Sequence, residues 1–175
     1  MCGIVGTAAK TPLLDRSWLA DGCDAITHRG PDDAGEWWSN DGRVGLGHRR
    51  LSILDLSPLG YQPMHLPEHG LMVVFNGEIY NYRSLRDELA GIGFSFRSSS
   101  DTEVLLAAYV AWGEDCLARL NGMFAFALYD VPRQQLFLAR DRAGEKPLFY
   151  RLANGVLQFA SELKALLANP TNSRN

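Results

Sequence analysis

The second residue of the chain is a cysteine, set in Met1-Cys2-Gly3-Ile4-Val5-Gly6. A small residue behind an initiator methionine favours removal of that methionine, and the mature chain would then begin at Cys2. A terminal cysteine carries a thiol and an uncapped α-amine on one residue. The amine can take the thiol proton, directly or through water, so nucleophile and base arrive together. With Met1 attached the amine becomes an amide and loses its basicity. Taken alone, Cys2 reads as a small apolar strand residue, because free cysteines are commonly buried. The four histidines do not improve on it as a source of chemistry. His65 and His69 have i,i+4 spacing, but Pro67 breaks the helix that would align them, and His28 lies in a Gly/Pro loop. His48 adjoins Arg49-Arg50 and reads as a structural hydrogen-bonding residue. Cys2, Cys23 and Cys116 are widely spaced with no Cys-x-x-Cys pair, so no zinc site and no disulfide framework is expected. Gly45-Leu46-Gly47 lacks the third glycine of a dinucleotide fingerprint, and no Gly-Lys-Ser/Thr loop is present for a nucleotide.

The elements that would hold these residues are legible in outline. Cys2 to Ala8 reads as a short strand of small residues, and Leu14, Trp18, Leu19 and Ile26 suggest a helix before the loop His28 to Gly35. Trp37-Trp38, Asn40-Asp41-Gly42 and Arg43 to His48 form a hairpin pattern, since Asp-Gly supplies the positive φ of a tight turn. Leu71 to Phe75 is a continuous apolar run that places Asn76-Gly77-Glu78 at the end of a buried strand. Leu85, Leu89 and Ile92 share a helix face that stops near Gly91 or Gly93. Ser100-Asp101-Thr102-Glu103 fits a capping box at the start of the helix carrying Leu105, Leu106, Tyr109 and Trp112. Gly122 to Asp130, Gln135 to Asp141, Leu148 to Leu152 and Val156 to Ala160 read as four successive strands, implying a largely antiparallel sheet and an α+β class.

Composition fits such a domain. The 175 residues hold 17 Lys+Arg and 20 Asp+Glu, a net charge of −3, with no basic cluster beyond Arg49-Arg50, which excludes a nucleic-acid footprint. No window approaches the ~18 to 20 apolar residues of a membrane span, and no export signal is visible. With an odd number of unpaired cysteines the expected location is the reducing cytoplasm.

Several stretches occur together and in order: Met1 to Gly6, His28-Arg29-Gly30-Pro31-Asp32-Asp33, Gly47-His48-Arg49-Arg50-Leu51-Ser52-Ile53, Phe75-Asn76-Gly77-Glu78-Ile79-Tyr80-Asn81 and Ser100-Asp101-Thr102-Glu103. Asn121 to Phe126, Arg140-Asp141-Arg142 with Lys146 to Tyr150, and Ala160 to Leu166 continue the set. The whole resembles the glutaminase domain, a class II glutamine amidotransferase, of glutamine-hydrolysing asparagine synthetase. The resemblance implies a domain over residues 1–168 with a polar tail over 169–175, and a four-layer α/β/β/α sandwich of the N-terminal-nucleophile hydrolase type. It implies hydrolysis of the glutamine side-chain amide, with Cys2 forming a thioester and ammonia leaving. Carried over position by position, Asn76 and Gly77 are the oxyanion-hole pair, Arg50 holds the substrate α-carboxylate, and backbone from Leu51 through Ser52 and Ile53 to Leu54 frames the pocket. Glu78 and Asp101 recognise the α-ammonium group, although Asp101 is equally favoured in a first helical turn by the helix dipole.

The resemblance implies no cofactor and no metal for this chain; ATP and magnesium belong to a synthetase domain that the sequence does not contain. L-glutamine and that separate domain are the expected partners, with a homodimer open and neither nucleic acid nor membrane expected. It also implies strands beyond this sequence, so a C-terminally truncated sandwich with an uncovered sheet edge is expected. A binding or regulatory module that keeps Met1, and the glutaminase part of another amidotransferase, are the competing readings.

Overall fold

The alternation of side chains along each strand sets the layering. In the computed structural model, which describes residues 2–52, 58–169 and 172, strand β3 (Val44–Arg50) turns Val44, Leu46 and His48 one way and Gly45, Gly47 and Arg49 the other. The first set packs between two sheets. The second faces a helix, and a Cβ on Gly47 would lie 2.5 Å from Cys23 Sγ, so glycine is what lets that helix sit close.

The first sheet has β1 (Gly3–Ala9) at its centre, flanked by β3 and β9 (Val156–Ala160), with β2 (Asp33–Trp38) and β8 (Phe149–Ala153) outside. The second contains β4 (Met64–Leu66), β5 (Leu71–Ile79), β6 (Gly122–Asp130) and β7 (Gln135–Arg140) in that order. All the ladders between these strands are antiparallel. Ile4, Leu46, Val74, Ala125, Ala127 and Phe159 fill the space between the sheets. Helices α1 (Ser17–Ala25) and α4 (Leu163–Leu167) cover the outer face of the first sheet through Trp18, Leu19, Cys23 and Ala165 against Val5 and Ala160. Helices α2 (Tyr82–Gly91) and α3 (Asp101–Trp112) cover the second through Leu85, Leu89, Val104 and Leu105 against Val73, Phe75 and Phe126. Every residue of α3 from Asp101 to Tyr109 is buried, consistent with an apolar run of Val, Leu and Ala that has no polar stripe. The layers therefore run helix, sheet, sheet, helix.

Several local expectations are corrected. Asn76, Gly77 and Glu78 lie within β5 rather than at its end, because β6 continues opposite them as Ala125, Phe124 and Met123. Strand β1 starts at Gly3, leaving Cys2 just outside it. The four late strands divide between the sheets: β6 and β7 stay in the second, and the segment after Arg140 crosses to the first. Leu14 precedes α1 and is fully exposed, and Ile92 follows α2 and is exposed. The capping box is half made. Ser100 Oγ accepts the Thr102 N–H at 3.0 Å, but Glu103 turns to the preceding loop and accepts from Arg97 N, Ser98 N and Ser98 Oγ. At the edge of the first sheet, β8 leaves Tyr150 and Leu152 exposed at 72% and 69%. These two stand opposite Phe159 and Leu157 in the ladder with β9, on the edge strand of the five-stranded sheet.

Candidate active site

Strand β5 has a strand neighbour on both edges only at its start. β4 pairs with Leu71 to Val73, whereas β6 pairs with β5 throughout. Beyond Val73 the open edge is closed by side chains. The Phe75 N–H donates to Gln62 Oε1 at 2.6 Å, and the Phe75 carbonyl accepts from His48 Nε2 at 3.1 Å. Further on, the Ile79 N–H donates to the Asp101 carboxylate at 3.0 Å. Peptide groups alternate between the two edges of a strand, so the Gly77 N–H falls on this same edge, between the two capped positions. A Cβ at Gly77 would lie 2.4 Å from the Met123 carbonyl oxygen and 2.7 Å from Phe124 Cα. The close approach of β6 therefore requires glycine there.

The pleat also aims the side chains. Asn76 has the parity of Met72 and Val74, which face the first sheet. It is 1% exposed, and its Nδ2 is buried without a hydrogen-bond partner. Such an orphaned donor costs about 1–3 kcal/mol. Across the gap, Arg50 shares the parity of Leu46 and His48 and points inward, 5.3 Å from the centre of the Tyr61 ring to its guanidinium carbon. Arg49 points outward, donates to the Cys23 carbonyl at 3.1 Å and bonds to Asp24.

Cys2 sits at the mouth of this gap. Its Sγ lies 3.4 Å from the Leu51 amide, which donates to it, and 3.6 Å from the Leu51 carbonyl, which accepts from it. Its own carbonyl accepts from Arg29 Nε at 2.9 Å, and Arg29 Nη1 donates to Glu162 Oε1 at 3.0 Å. Partial burial of Glu162 works against its ionisation, but hydrogen bonds from Arg29, His28 and Lys164 prevail and hold it at about 2. The other cysteines are poor candidates for a thiolate. Burial pushes Cys23 up to about 12 and Cys116 up to about 11.

One pocket gathers Cys2, Arg50, Leu51, Asn76, Gly77, Glu78 and Asp101, seven of the residues singled out in the sequence. Ser52 lies beside it, its N–H donating to Asp32 Oδ2 at 2.8 Å. Ile53 and Leu54 lie outside the described residues. Asp101 is 4% exposed, and burial raises its carboxyl to about 6 against the lowering effect of the Ile79 and Thr102 amides. His48 is fully buried and pushed down to about 4 by desolvation, so it stays neutral. Because a carbonyl only accepts, its proton resides on Nε2, where it ties the two sheets together. That is the structural role its sequence position suggested.

Among the pocket residues that had not been singled out for a role are three polar ones, Gln62, Thr102 and Lys146. Lys146 is 4% exposed and is delivered by a turn wound on Asp141, whose carboxylate accepts from Phe124 N, Glu145 N and Lys146 N at 2.9 to 3.2 Å. The Arg-Asp-x-x-x-x-Lys spacing carries that turn in the sequence. The Gln62 contact has no comparable local signature. In charge, the lining offers two cations, Arg50 and Lys146, and two carboxylates, Glu78 and Asp101, which suits a zwitterionic ligand.

A model of the glutamine amidotransferase domain matches residues 1–175. The chain belongs to this family. Within it, the amidotransferase domain is 43% identical over 174 residues to asparagine synthetase [glutamine-hydrolyzing] 3 of Bacillus subtilis, covering 97% of this chain and 28% of that protein. It is 47% identical over 179 residues to the amidase chry2 of Gibberella zeae, covering 96% and 26%. Its fold matches that of the glutamine phosphoribosylpyrophosphate amidotransferase from B. subtilis with a TM-score of 0.80 at 22% identity, over 95% of this chain and 43% of that one. The amidotransferase domain thus spans about a quarter of the length of these two curated relatives.

Proposed function

We propose that the chain hydrolyses the side-chain amide of L-glutamine to glutamate and ammonia, with Cys2 as an N-terminal nucleophile. The observation that carries this reading is the buried, partnerless Nδ2 of Asn76, a residue that lines the pocket containing Cys2. A donor left unpaired in the free protein is available to an oxyanion that exists only during reaction, so its interaction stabilises the transition state and not the resting state.

In this mechanism Met1 is removed, and the free amine of Cys2 takes the thiol proton. The thiolate attacks the side-chain amide carbon, and the oxyanion is received by Asn76 Nδ2 and the Gly77 N–H. Collapse expels ammonia, which leaves with a proton from the Cys2 ammonium, and forms a γ-thioester. Water, deprotonated by the same amine, adds to the thioester carbon, and glutamate leaves as the sulfur regains its proton. Arg50 holds the substrate α-carboxylate. Glu78 and Asp101 face its ammonium group, and Leu51 and Ser52 border the pocket. The domain spans residues 1–168, and its catalytic form begins at Cys2, working in the cytoplasm without a cofactor of its own. Its ammonia serves an ATP- and magnesium-dependent, asparagine synthetase-like domain elsewhere in a longer or separate polypeptide. Support for that last step is the identity to a glutamine-hydrolysing asparagine synthetase.

The test is ammonia release from L-glutamine by protein whose intact mass shows Met1 removed. Turnover that disappears in Cys2→Ala is expected. A fully Met1-processed chain that binds glutamine without releasing ammonia would instead establish a binding module.

A further inference from the structure

We infer that Gln62 is a positioning residue for the oxyanion site, acting through the Val74–Phe75 peptide group, one peptide before the one that leads into Asn76. This rests on the glutaminase reading of the pocket. β4 ends its pairing at Val73, so the next donor on that edge of β5, the Phe75 N–H, has no strand to bind. Gln62 Oε1 takes its place at 2.6 Å, and Gln62 Nε2 is anchored to Thr102 Oγ1 at 3.4 Å. Thr102 in turn follows Asp101, whose carboxylate holds the Ile79 N–H. The side-chain amide of Gln62 therefore stands in for a missing strand at one peptide, and Asp101 does so two positions beyond Gly77. Between them the Gly77 N–H is left for a ligand.

Geometry explains why a glutamine at that point affects rate. A hydrogen-bonded amide on each side of Gly77 pins the strand where a third strand would otherwise set its path, and an oxyanion donor is effective only when it is held in place before the charge develops. Release of the Phe75 N–H frees the Val74–Phe75 peptide on this edge and leaves only the His48 contact to the Phe75 carbonyl before Asn76, which loosens the stretch of strand that carries both oxyanion donors. The substrate α-carboxylate and α-ammonium contacts lie on Arg50, Glu78 and Asp101, and these do not depend on that peptide. The effect should therefore fall on kcat and spare KM.

The experiment compares Met1-processed wild type with Gln62→Met, which keeps the length and removes both polar contacts. Expected are a fall of about 10- to 100-fold in kcat for glutamine hydrolysis, a change in KM of less than about threefold, and faster hydrogen exchange at the Phe75 amide. A glutamate γ-aldehyde, which adds the Cys2 thiol to form a tetrahedral oxyanion-like adduct, should lose affinity in proportion to kcat/KM, while product glutamate binds as before. Unchanged kcat, or a loss confined to KM, overturns the inference. Should Gln62→Met fail to fold, the Thr102 pair decides: Thr102→Val should lower kcat in the same sense and Thr102→Ser should restore it, and equal kcat in the two overturns the inference. If wild type itself releases no ammonia, the glutaminase reading fails first, and the two failures are distinct.

Discussion

The carboxylate of Asp101 accepts the N–H of Ile79 at 3.0 Å, joining the first turn of α3 to the last residue of β5. The bond places a carboxyl group in the pocket wall where burial raises it from 3.8 to about 6. A folded value above the unfolded one means that the fold favours the protonated acid. The stability it contributes is complete below the unfolded value and is lost as pH rises through about 6. Urea midpoints of the wild type should therefore decline between about pH 4 and 6 relative to Asp101→Asn, which keeps an acceptor for the Ile79 amide. Parallel midpoint curves for the two proteins would contradict this.

The same group should appear in kinetics. An ammonium ligand is attracted only by the ionised acid, so kcat/KM for glutamine should fall below about pH 6, with the acid limb reporting the free enzyme. Asp101→Asn should show a raised KM at neutral pH and lack that limb. A pH profile of kcat/KM in both proteins is the measurement.

Cys2→Ala should abolish ammonia release and leave the melting temperature within a few degrees of wild type. Among the described residues the sulfur's hydrogen bonds go to the backbone of Leu51, at 3.4 and 3.6 Å, while the main chain of residue 2 remains tied to Arg29. Wild-type-like turnover in this variant would end the proposed mechanism.

Asn76→Ala should cost ~10² to 10³ in kcat, the usual loss for one oxyanion donor, with little change in melting temperature because the donor it removes was unpaired. Gly77→Ala should behave differently. Its new methyl group meets backbone atoms of β6 at 2.4 and 2.7 Å, so both stability and activity should fall. Thermal melts beside steady-state rates separate the two cases.

Arg50→Ala should raise KM for glutamine and leave kcat largely intact, as loss of a ground-state anchor does. Arg50→Lys should restore affinity only in part, since an ammonium cannot make the paired contacts of a guanidinium. A defect confined to kcat would show that Arg50 does something else.

Much of this site was legible from residue order because its parts sit on regular elements. Arg50 and Asn76 were singled out through the family resemblance, and the pleat supplies the physical reason they differ from Arg49 and Phe75, since even-numbered positions of β3 and β5 face the gap between the sheets. Cys2 stood out through its place beside the terminus. Gln62 was not legible, because its partner amide belongs to a strand whose neighbour stops short, and pairing lengths of that kind are set by tertiary packing. Glu103 shows the same limit. The local rule paired it with Ser100, but Ser98 and the Arg97 amide offered it three donors. The division of β6 to β9 between two sheets was also hidden, since strand pattern carries no record of the crossover wound on Asp141.

Residue 2 is fastened from the far end of the chain. Ile4 exchanges hydrogen bonds with Ser161 at 2.9 Å in each direction, and Arg29 reaches from Cys2 to Glu162. During synthesis, then, the ties from Ser161 and Glu162 to the start of the chain form only after those residues have been made. Under the proposed mechanism, a nascent fragment lacking Ser161 and Glu162 carries the Cys2 thiol without part of the frame that would aim it.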